Sequence, residues 1–357
     1  MTDSVVPQVS IIAACRNEIK CIRRFLDSLL AQDMTGIRWE ALISDGMSDD
    51  GTRDILEEYS AQCPQLRVLT NPARIASVGL NTAIRTARGG IIIRMDAHSW
   101  YAATYCRLCL ETLQRTGADF VGGPVLAKAE GVWARSVTAA FHSRFATGGA
   151  SRFRELDYEG WVSTLPYGAW RRATLERIGL FDETLVRNQD DELNIRLLRS
   201  GGKIWQSPAI ASWYSPRSSL SKLFRQYFQY GFWQVPVLWK HKTMSSWRKL
   251  VPAAFVLANA VALGGILATT LGPSSWLAPA VSLWLALIAS YIVVCLIASV
   301  LAASRHGWMA LPFLPMIFCI YHFSFGLGFV VGLLKLLFTQ DATFSTEPDS
   351  ALTRITR

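Results

Sequence analysis

Charge is missing from two long stretches near the C-terminus. The chain has no Asp, Glu, Lys or Arg between Lys249 and Arg305, and none between Arg305 and Lys335. Because a helix needs about 20 apolar residues to cross a bilayer, the first stretch has room for two spans and the second for one. A soluble core is excluded as an explanation, since its helices carry charge every few turns. We therefore predict transmembrane helices at 250–271, 276–303 and 311–338.

Paired cysteine motifs, repeats and low-complexity segments are also missing. Among the seven cysteines, Cys106 and Cys109 form a single C-x-x-C without the second pair that a zinc site needs. The two cysteines are better explained as small buried hydrophobes. The formal net charge is +9, but the basic residues lie beside the predicted spans. Anionic lipid headgroups account for them there, so we predict membrane lipids as partners and no nucleic acid.

The basic residues predict the orientation in the membrane. Lys240, Lys242, Arg248 and Lys249 precede the first span and Arg305 separates the second from the third, whereas the turn between the first two has no charge. Because Lys and Arg favour the cytoplasmic side, the region before the first span is predicted to be cytoplasmic in a multi-pass protein of a bacterial inner membrane. The first residues lack the basic start and apolar core of a signal peptide, which agrees. The C-terminal tail is then expected on the opposite side.

From residue 9 to about residue 123, short β-rich runs alternate with amphipathic helical stretches, which predicts an α/β domain with a mostly parallel sheet. The predicted strands are VSIIAAC, EALISD, RVLT, IIIRMD and DFVGG. In open α/β sheets, ligands bind beyond the carboxyl ends of the strands. The polar residues at these ends are therefore candidates for a binding site: Arg16, Asn17, Glu18, Asp45, Asn71, Asp96 and His98.

The run IIIRMDAHS places three chemically useful residues two positions apart. Arg94, Asp96 and His98 would share one face of an extended strand. An acid and an imidazole can bind one divalent ion, and an arginine beside them can neutralise a phosphate. A surface acid at a strand end is the alternative, and these residues alone do not separate the two explanations.

Three acids open a predicted helix in the run RNQDDELNIRLL. Glu192 precedes Arg196 by four residues, which is the spacing of an exposed helical ion pair and argues against a catalytic role. Asp190 and Asp191 each share a face with leucine or isoleucine of the following turns. The spacing therefore excludes Glu192 and leaves both aspartates as candidates.

Several motifs follow one another along the chain: VSIIAACRNE, ISDGMSDDGT, NPARIASVGLNTAIRTARGG, RMDAHS and RNQDDELNIRLLRSGGKIW. In this order they resemble the family 2 glycosyltransferases with the GT-A fold. The segments WVSTLPYGAW, GLFDETLVRNQDDE and SPRSSLSKLFRQYFQYGFW resemble the branch of that family that builds exopolysaccharides such as succinoglycan. The resemblance covers residues 9 to about 240.

The resemblance implies roles for matching residues. Asp45 matches the acid that binds uracil, and DAH matches the metal-binding DxD, with Asp96 as a ligand of Mg²⁺ or Mn²⁺. His98 departs from the usual second aspartate. Because imidazole suits Mn²⁺ better than Mg²⁺, His98 either binds the metal or contacts phosphate. The family's base is the second residue of a Glu-Asp pair, here Gln189-Asp190, which favours Asp190 over Asp191.

Acceptor contacts are expected from two further segments. Arg171 and Arg172, after PYGAW, could meet a diphosphate on a lipid acceptor, or could be solvated charges at a helix start. The processive synthases of the superfamily carry Gln-x-x-Arg-Trp, whereas this chain has QYGFW, with Gln229 and Trp233 but no arginine. The segment could still cover an acceptor channel, although the missing arginine argues against polymer synthesis.

The resemblance thus implies a GT-A type, Rossmann-like catalytic domain followed by a helical transmembrane region. The expected parts are a cytoplasmic catalytic domain at 1–212, amphipathic interfacial helices at 213–249, transmembrane helices at 250–338 and a polar tail at 339–357. The implied activity is inverting transfer of a hexose, glucose by resemblance, from a UDP-sugar to a polyprenyl-diphosphate-linked saccharide, alongside other polysaccharide assembly enzymes. Alternatives are a polyprenyl-phosphate glycosyl synthase, a processive synthase, or a membrane scaffold without catalysis.

Overall fold

The computed structural model describes residues 6–127, 131–147, 155–214, 219–243, 247–270 and 277–339. These residues form two compact units. The first unit contains 6–127 and 155–214, and the second contains 131–147 and the described residues from 219 onward. The expected catalytic domain, 1–212, is therefore wrong in one part. Segment 131–147 belongs to the second unit, because its helix packs against the C-terminal helices.

Eleven strands are present in the described residues. They are β1 Val9–Cys15, β2 Trp39–Asp45, β3 Leu66–Thr70, β4 Ile91–Arg94, β5 Ser99–Tyr101, β6 Phe120–Gly122, β7 Val125–Ala127, β8 Gly160–Val162, β9 Ala169–Arg171, β10 Ile204–Gln206 and β11 Ser212–Tyr214. Eight form one sheet in the order β3-β2-β1-β4-β9-β6-β10-β8. Only β9 and β8 run antiparallel to their neighbours in it. The predicted mostly parallel α/β sheet is confirmed.

The described helices alternate with these strands and then dominate the C-terminal half. They are α1 Ile22–Leu30, α2 Thr52–Gln62, α3 Ala76–Thr86, α4 Tyr105–Thr116, α5 Gly131–His142, α6 Arg144–Thr147, α7 Arg172–Ile178, α8 Gln189–Arg199, α9 Leu220–His241, α10 Val251–Thr270, α11 Leu277–His306 and α12 Leu314–Thr339.

Both faces of the large sheet are covered, which explains the unbroken apolar runs of its central strands. In β1, Ile11 packs into a core cluster with Phe25 of α1, whereas Ile12 packs into a separate cluster with Leu80 of α3 and Leu193 of α8. Successive residues of a strand point to opposite faces, so each face has its own core. The two layers of helices leave the strand ends open.

The second unit is built on the long helix α9, which packs along α12. Glycines let the two backbones approach: a Cβ on Gly231 would lie 2.0 Å from the Phe325 carbonyl oxygen, and one on Gly328 would lie 2.1 Å from that of Phe228. A Cβ on Gly332 would lie 2.9 Å from the Phe232 carbonyl oxygen. The glycine pair Gly328 and Gly332 therefore packs closely against α9. Within the predicted interfacial segment 213–249, the described residues contain the end of β11, the long helix α9 and the start of a short 3-10 helix, Trp247–Leu250. The place of this segment in a membrane stays a prediction.

Among the residues that the structure describes, three helices are long and apolar enough to cross a membrane, at Trp247–Ala268, Leu277–His306 and Leu314–Phe338. Their bounds agree with the predicted spans within a few residues. The predicted turn at 271–275 and the tail from 340 lie outside the described residues. Which side of a membrane each end occupies stays a prediction.

Candidate active site

Two loops at the carboxyl edge of the sheet are joined through Asn17. The Asn17 backbone N–H donates to Ser48 Oγ at 3.0 Å, and its side-chain amide donates to Asp49 Oδ1 at 2.8 Å. The Asp49 backbone N–H donates back to Asn17 Oδ1 at 3.1 Å. Asn17 has φ +56°, a left-handed conformation that asparagine tolerates better than most residues. Asn17 therefore fixes the loop that follows β2.

Asp45 is fixed as a buried hydrogen-bond acceptor at the end of β2, with 2% of the residue exposed. Its Oδ1 accepts from the Ser48 hydroxyl at 2.6 Å and its Oδ2 from the Ser48 backbone N–H at 3.2 Å. Arg53 Nη1 lies 3.8 Å from Oδ2 and balances the charge. A carboxylate held this way can accept hydrogen bonds without moving.

Two buried polar atoms near Asp45 have no hydrogen-bond partner among the residues the structure describes. They are Arg16 Nε and Asn71 Oδ1. Asn71 is otherwise tied to this edge, since its backbone N–H donates to the Asp45 carbonyl at 2.8 Å and its amide to that of Ile75 at 2.8 Å. Buried polar groups normally have partners, so these atoms are available to a polar ligand.

Arg94 and Asp96 form the charged centre of the site. Arg94 Nε donates to Asp96 Oδ1 at 2.9 Å and Nη2 to Oδ2 at 3.3 Å. The sequence predicted that these two residues share a face of the strand, whereas β4 ends at Arg94 and not at Asp96. The Asp96 backbone N–H donates to the Tyr101 hydroxyl at 2.5 Å. Tyr101, in β5, therefore contacts the backbone just after β4, and no sequence signal pointed to it.

His98 lies beside the loop that follows β1. Its side chain is 51% exposed, and its Nδ1 is 3.9 Å from Glu18 Oε1. That His98 acts together with Arg94 and Asp96 stays a prediction. The residues that the structure describes contain no group of three or more His, Cys, Asp or Glu that could hold a metal.

Asp96 nevertheless suits a divalent ion that is partly bound by phosphate. A carboxylate is a hard oxygen ligand of the kind that Mg²⁺ and Mn²⁺ prefer, and the Asp96 side chain is 19% exposed. One protein carboxylate, with or without His98, leaves most coordination positions to water and to substrate oxygens. Mg²⁺ is commonly bound in this way beside nucleotide phosphates.

Asp190 is the acid of α8 that interacts with this centre. It lies half-buried in the first turn, after Asn188 in a left-handed conformation. Burial raises the pKa of Asp190, the positive charge of Arg94 lowers it, and the negative charges of Asp191 and Asp96 raise it. The structure therefore brings Asp190, Arg94 and Asp96 within electrostatic reach of one another. Asp191 is also half-buried, beside Asp190.

Glu192 forms the predicted ion pair, but the pair is not on the surface. Glu192 is fully buried, and Arg196 Nη2 lies 2.8 Å from its Oε2. Arg196 also donates to the carbonyls of Ile178 and Leu180, at 2.7 and 2.5 Å. The prediction of an exposed pair was wrong, because the arginine holds the loop before α8 and is covered by it.

The loop before α8 is anchored on α3. Asn81 Nδ2 donates to the Phe181 carbonyl at 2.8 Å, and the Phe181 backbone N–H donates to Asn81 Oδ1 at 3.0 Å. Ser77 Oγ donates to the Leu185 carbonyl at 3.1 Å. The Phe181 ring centre lies 5.6 Å from the Arg94 guanidinium. These residues hold the loop that leads to Asp190, and no pattern in the sequence had identified them.

Arg171 and Arg172 lie at the other end of the sheet. Arg171 pairs with Ile91, the first residue of β4. Its Nη2 donates to the Leu113 carbonyl at 3.0 Å, and Arg172 Nε donates to that of Gly89 at 2.8 Å. β9 runs antiparallel to β4 and carries both arginines to the edge of the sheet opposite to that of Asp45 and Asp96, and their role toward an acceptor stays a prediction.

Gln229 and Trp233 belong to the second unit. Both lie on α9, and each is 2% exposed. The structure does not bring them together with Asp96 within one unit. Their role toward an acceptor stays a prediction.

Comparisons with known proteins identify the family of the chain. The family model of glycosyl transferase family 2 matches residues 10–179. The succinoglycan biosynthesis protein ExoA of Rhizobium meliloti (strain 1021) is 31% identical over 284 residues, which is 79% of this chain and 83% of that protein.

Two further similarities cover less of the chain. The dolichyl N-acetyl-alpha-D-glucosaminyl phosphate 3-beta-D-2,3-diacetamido-2,3-dideoxy-beta-D-glucuronosyltransferase of Methanococcus voltae is 30% identical over 62% of this chain and 71% of that protein. The crystal structure of S. aureus TarS is 18% identical with a TM-score of 0.45, over 63% of this chain and 39% of that chain. With one relative matched at 31% identity over most of its length, the chain belongs to glycosyl transferase family 2.

Proposed function

We propose that the protein transfers a hexose from a UDP-sugar, with inversion, to a hydroxyl of a polyprenyl-diphosphate-linked saccharide during synthesis of a cell-surface polysaccharide. The observation that carries the proposal is the grouping of Asp190 with Arg94 and Asp96 at the carboxyl edge of the sheet. The names of the two relatives, one a succinoglycan biosynthesis protein and one a transferase acting on a dolichyl phosphate sugar, support a lipid-linked acceptor.

The donor would bind along the carboxyl edge. Asp45 offers a fixed acceptor for an N–H of the uracil, and Asn71 Oδ1 and Arg16 Nε are polar atoms without other partners in the described chain. Such buried groups favour a ligand that satisfies them, because an unpaired buried polar atom is costly. The diphosphate would then lie toward Asp96, and an Mg²⁺ or Mn²⁺ held by Asp96, with His98 near it, would offset its charge.

Asp190 is the proposed base. Its carboxylate takes the proton of the acceptor hydroxyl while that oxygen forms a bond to the anomeric carbon. The bond from the anomeric carbon to the diphosphate oxygen breaks, and its electron pair leaves with UDP. Attack from the face opposite the leaving group inverts the anomeric centre. General-base help of this kind contributes about 10²–10⁴-fold to the rate.

The test is the identity of the labelled product. Membranes containing the full chain are incubated with a panel of radiolabelled UDP-sugars and a lipid extract, and the lipid fraction is analysed after mild acid. We expect one UDP-hexose to label a lipid-linked oligosaccharide that is one sugar longer than its precursor. Label in a single sugar on polyprenyl phosphate, or in a high-molecular-weight polymer, would contradict the proposal. Membranes with D190N serve as the matched control and should incorporate label about 10²–10⁴-fold more slowly.

A further inference from the structure

Arg94 carries a buried positive charge that interacts with both acids of the site. Only 6% of the residue is exposed. Two of its nitrogens hydrogen-bond to Asp96, and its charge also acts on Asp190. Its third nitrogen, Nη1, is buried without a hydrogen-bond partner among the residues that the structure describes.

Without Arg94, the negative charges of Asp96 and Asp190 would have no positive charge to offset them. Asp96 and Asp190 repel each other, and burial already disfavours the ionised form of Asp190. An arginine stays protonated in proteins, so it supplies a permanent positive charge. The Phe181 ring lies 5.6 Å from the guanidinium and helps to exclude water, which strengthens the interactions of that charge.

We propose that Arg94 is a positioning residue that couples the two acids, orienting Asp96 through its paired hydrogen bonds and providing the counter-charge for Asp190. The part that concerns Asp190 rests on the proposed function, since it treats Asp190 as the base. The part that concerns Asp96 does not depend on which sugar is transferred.

One substitution should therefore have two opposite effects. A divalent cation at Asp96 lies close to the guanidinium, and like charges repel. Removing the guanidinium should tighten cation binding. The same change takes the counter-charge away from Asp190, so transfer should slow at saturating donor. A residue that only supported the local fold would lower both quantities.

The experiment compares R94Q and R94K with the wild type, using the full chain in detergent. Mn²⁺ alone is titrated and free Mn²⁺ is followed by electron paramagnetic resonance. We expect R94Q to bind Mn²⁺ about tenfold more tightly, because one nearby positive charge is gone. R94K keeps the positive charge but loses the planar guanidinium with its paired N–H donors. Its Mn²⁺ affinity should therefore stay within about threefold of the wild type.

The same proteins are then assayed for transfer with the identified donor and acceptor. R94Q should lose about 100-fold in kcat with little change in donor KM, and R94K should recover part of that loss. Unchanged or weaker Mn²⁺ binding by R94Q would overturn the proposal, as would no Mn²⁺ binding by any of the proteins. If R94Q melts early, R94K decides: a well-folded R94K that behaves no better than R94Q also overturns it. A wild type without transfer activity would instead count against the proposed function, because the Mn²⁺ titration needs no sugar.

Discussion

At the scale of the residue, helical spacing put both Asp190 and Asp191 beside apolar residues and could not choose between them. The charges that act on Asp190 come in part from Arg94 and Asp96, which are almost a hundred positions away along the chain and carry no local signal. The buried ion pair of Glu192 also shows that helical spacing predicts local contacts but not burial. The spacing to Arg196 predicted the contact, but burial depends on carbonyls of a distant loop.

The raised pKa of Asp190 predicts the pH dependence of transfer. A base acts when ionised, so the rate should rise with pH through the pKa of Asp190, at a pH above the ordinary aspartate value of about 4. Asp191 raises this pKa by its negative charge. D191N should therefore keep activity and move the rising limb to lower pH, as measured from kcat across a pH series. Loss of transfer in D191N, or a limb that moves to higher pH, would show that Asp191 has another role.

The buried ion pair between Glu192 and Arg196 predicts that a substitution of Glu192 lowers the free energy of unfolding. Replacing it by Gln leaves the buried Arg196 charge without a counter-ion, which should cost about 3–5 kcal/mol. The matched control is E58Q, because Glu58 pairs with Arg23 on the surface, with side chains about half exposed. Thermal unfolding in detergent should show a lower midpoint for E192Q and almost none of that effect for E58Q. Equal midpoints for the two variants would mean that the Glu192 pair adds nothing to stability.

At the scale of the element, strands and helices with a regular apolar pattern could be predicted from the sequence, whereas very short strands could not. Strands β1 to β4 and β6 were predicted, because apolar runs and helical periodicity are local signals. The strands β8, β9 and β10 of the large sheet and β5, β7 and β11 of the second sheet were not predicted, since three residues carry too little pattern. β5 contributes Tyr101, whose hydroxyl accepts a hydrogen bond from the Asp96 backbone. The edge of the sheet was therefore predicted correctly, but the side chains that shape it were only partly identified.

The contact between α9 and α12 predicts a second stability effect. A Cβ on Gly231 would lie 2.0 Å from the Phe325 carbonyl oxygen, so G231A must push the two helices apart. Overpacking of this kind typically costs about 1–3 kcal/mol. G264A in α10 is the control, because a Cβ there meets nothing within 4 Å. In detergent, G231A should have a lower thermal unfolding midpoint than the wild type, whereas the midpoint of G264A should not be lower. A normal melting temperature for G231A would contradict the close packing.

At the scale of the whole molecule, the absence of charge was the most reliable signal. Two uncharged stretches predicted three spans, and three helices of the expected length and composition are present in the described chain. Membrane insertion leaves a continuous mark in the sequence, because every residue of a span contributes to it. The division into units was harder to predict. Segment 131–147 is close in sequence to the sheet but packs with the C-terminal helices, and that choice depends on contacts far along the chain.

The distribution of Lys and Arg predicts the orientation. An epitope tag at the N-terminus should resist protease added to intact spheroplasts, because the region before the first span is expected in the cytoplasm. A tag at the C-terminus should be cleaved, as three spans end on the opposite side. Both tags should be cleaved once the membrane is opened. Cleavage of the N-terminal tag in intact spheroplasts would reverse the predicted orientation.

The central claim is that Asp190 is the base of a sugar transfer whose donor binds at the carboxyl edge of the sheet. The most direct test is D190N, assayed for transfer alongside isothermal titration with the UDP-sugar. Asparagine keeps the shape but cannot take the proton, so transfer should fall by about 10²–10⁴-fold while donor binding stays intact. Transfer at the wild-type rate with intact donor binding would contradict the account.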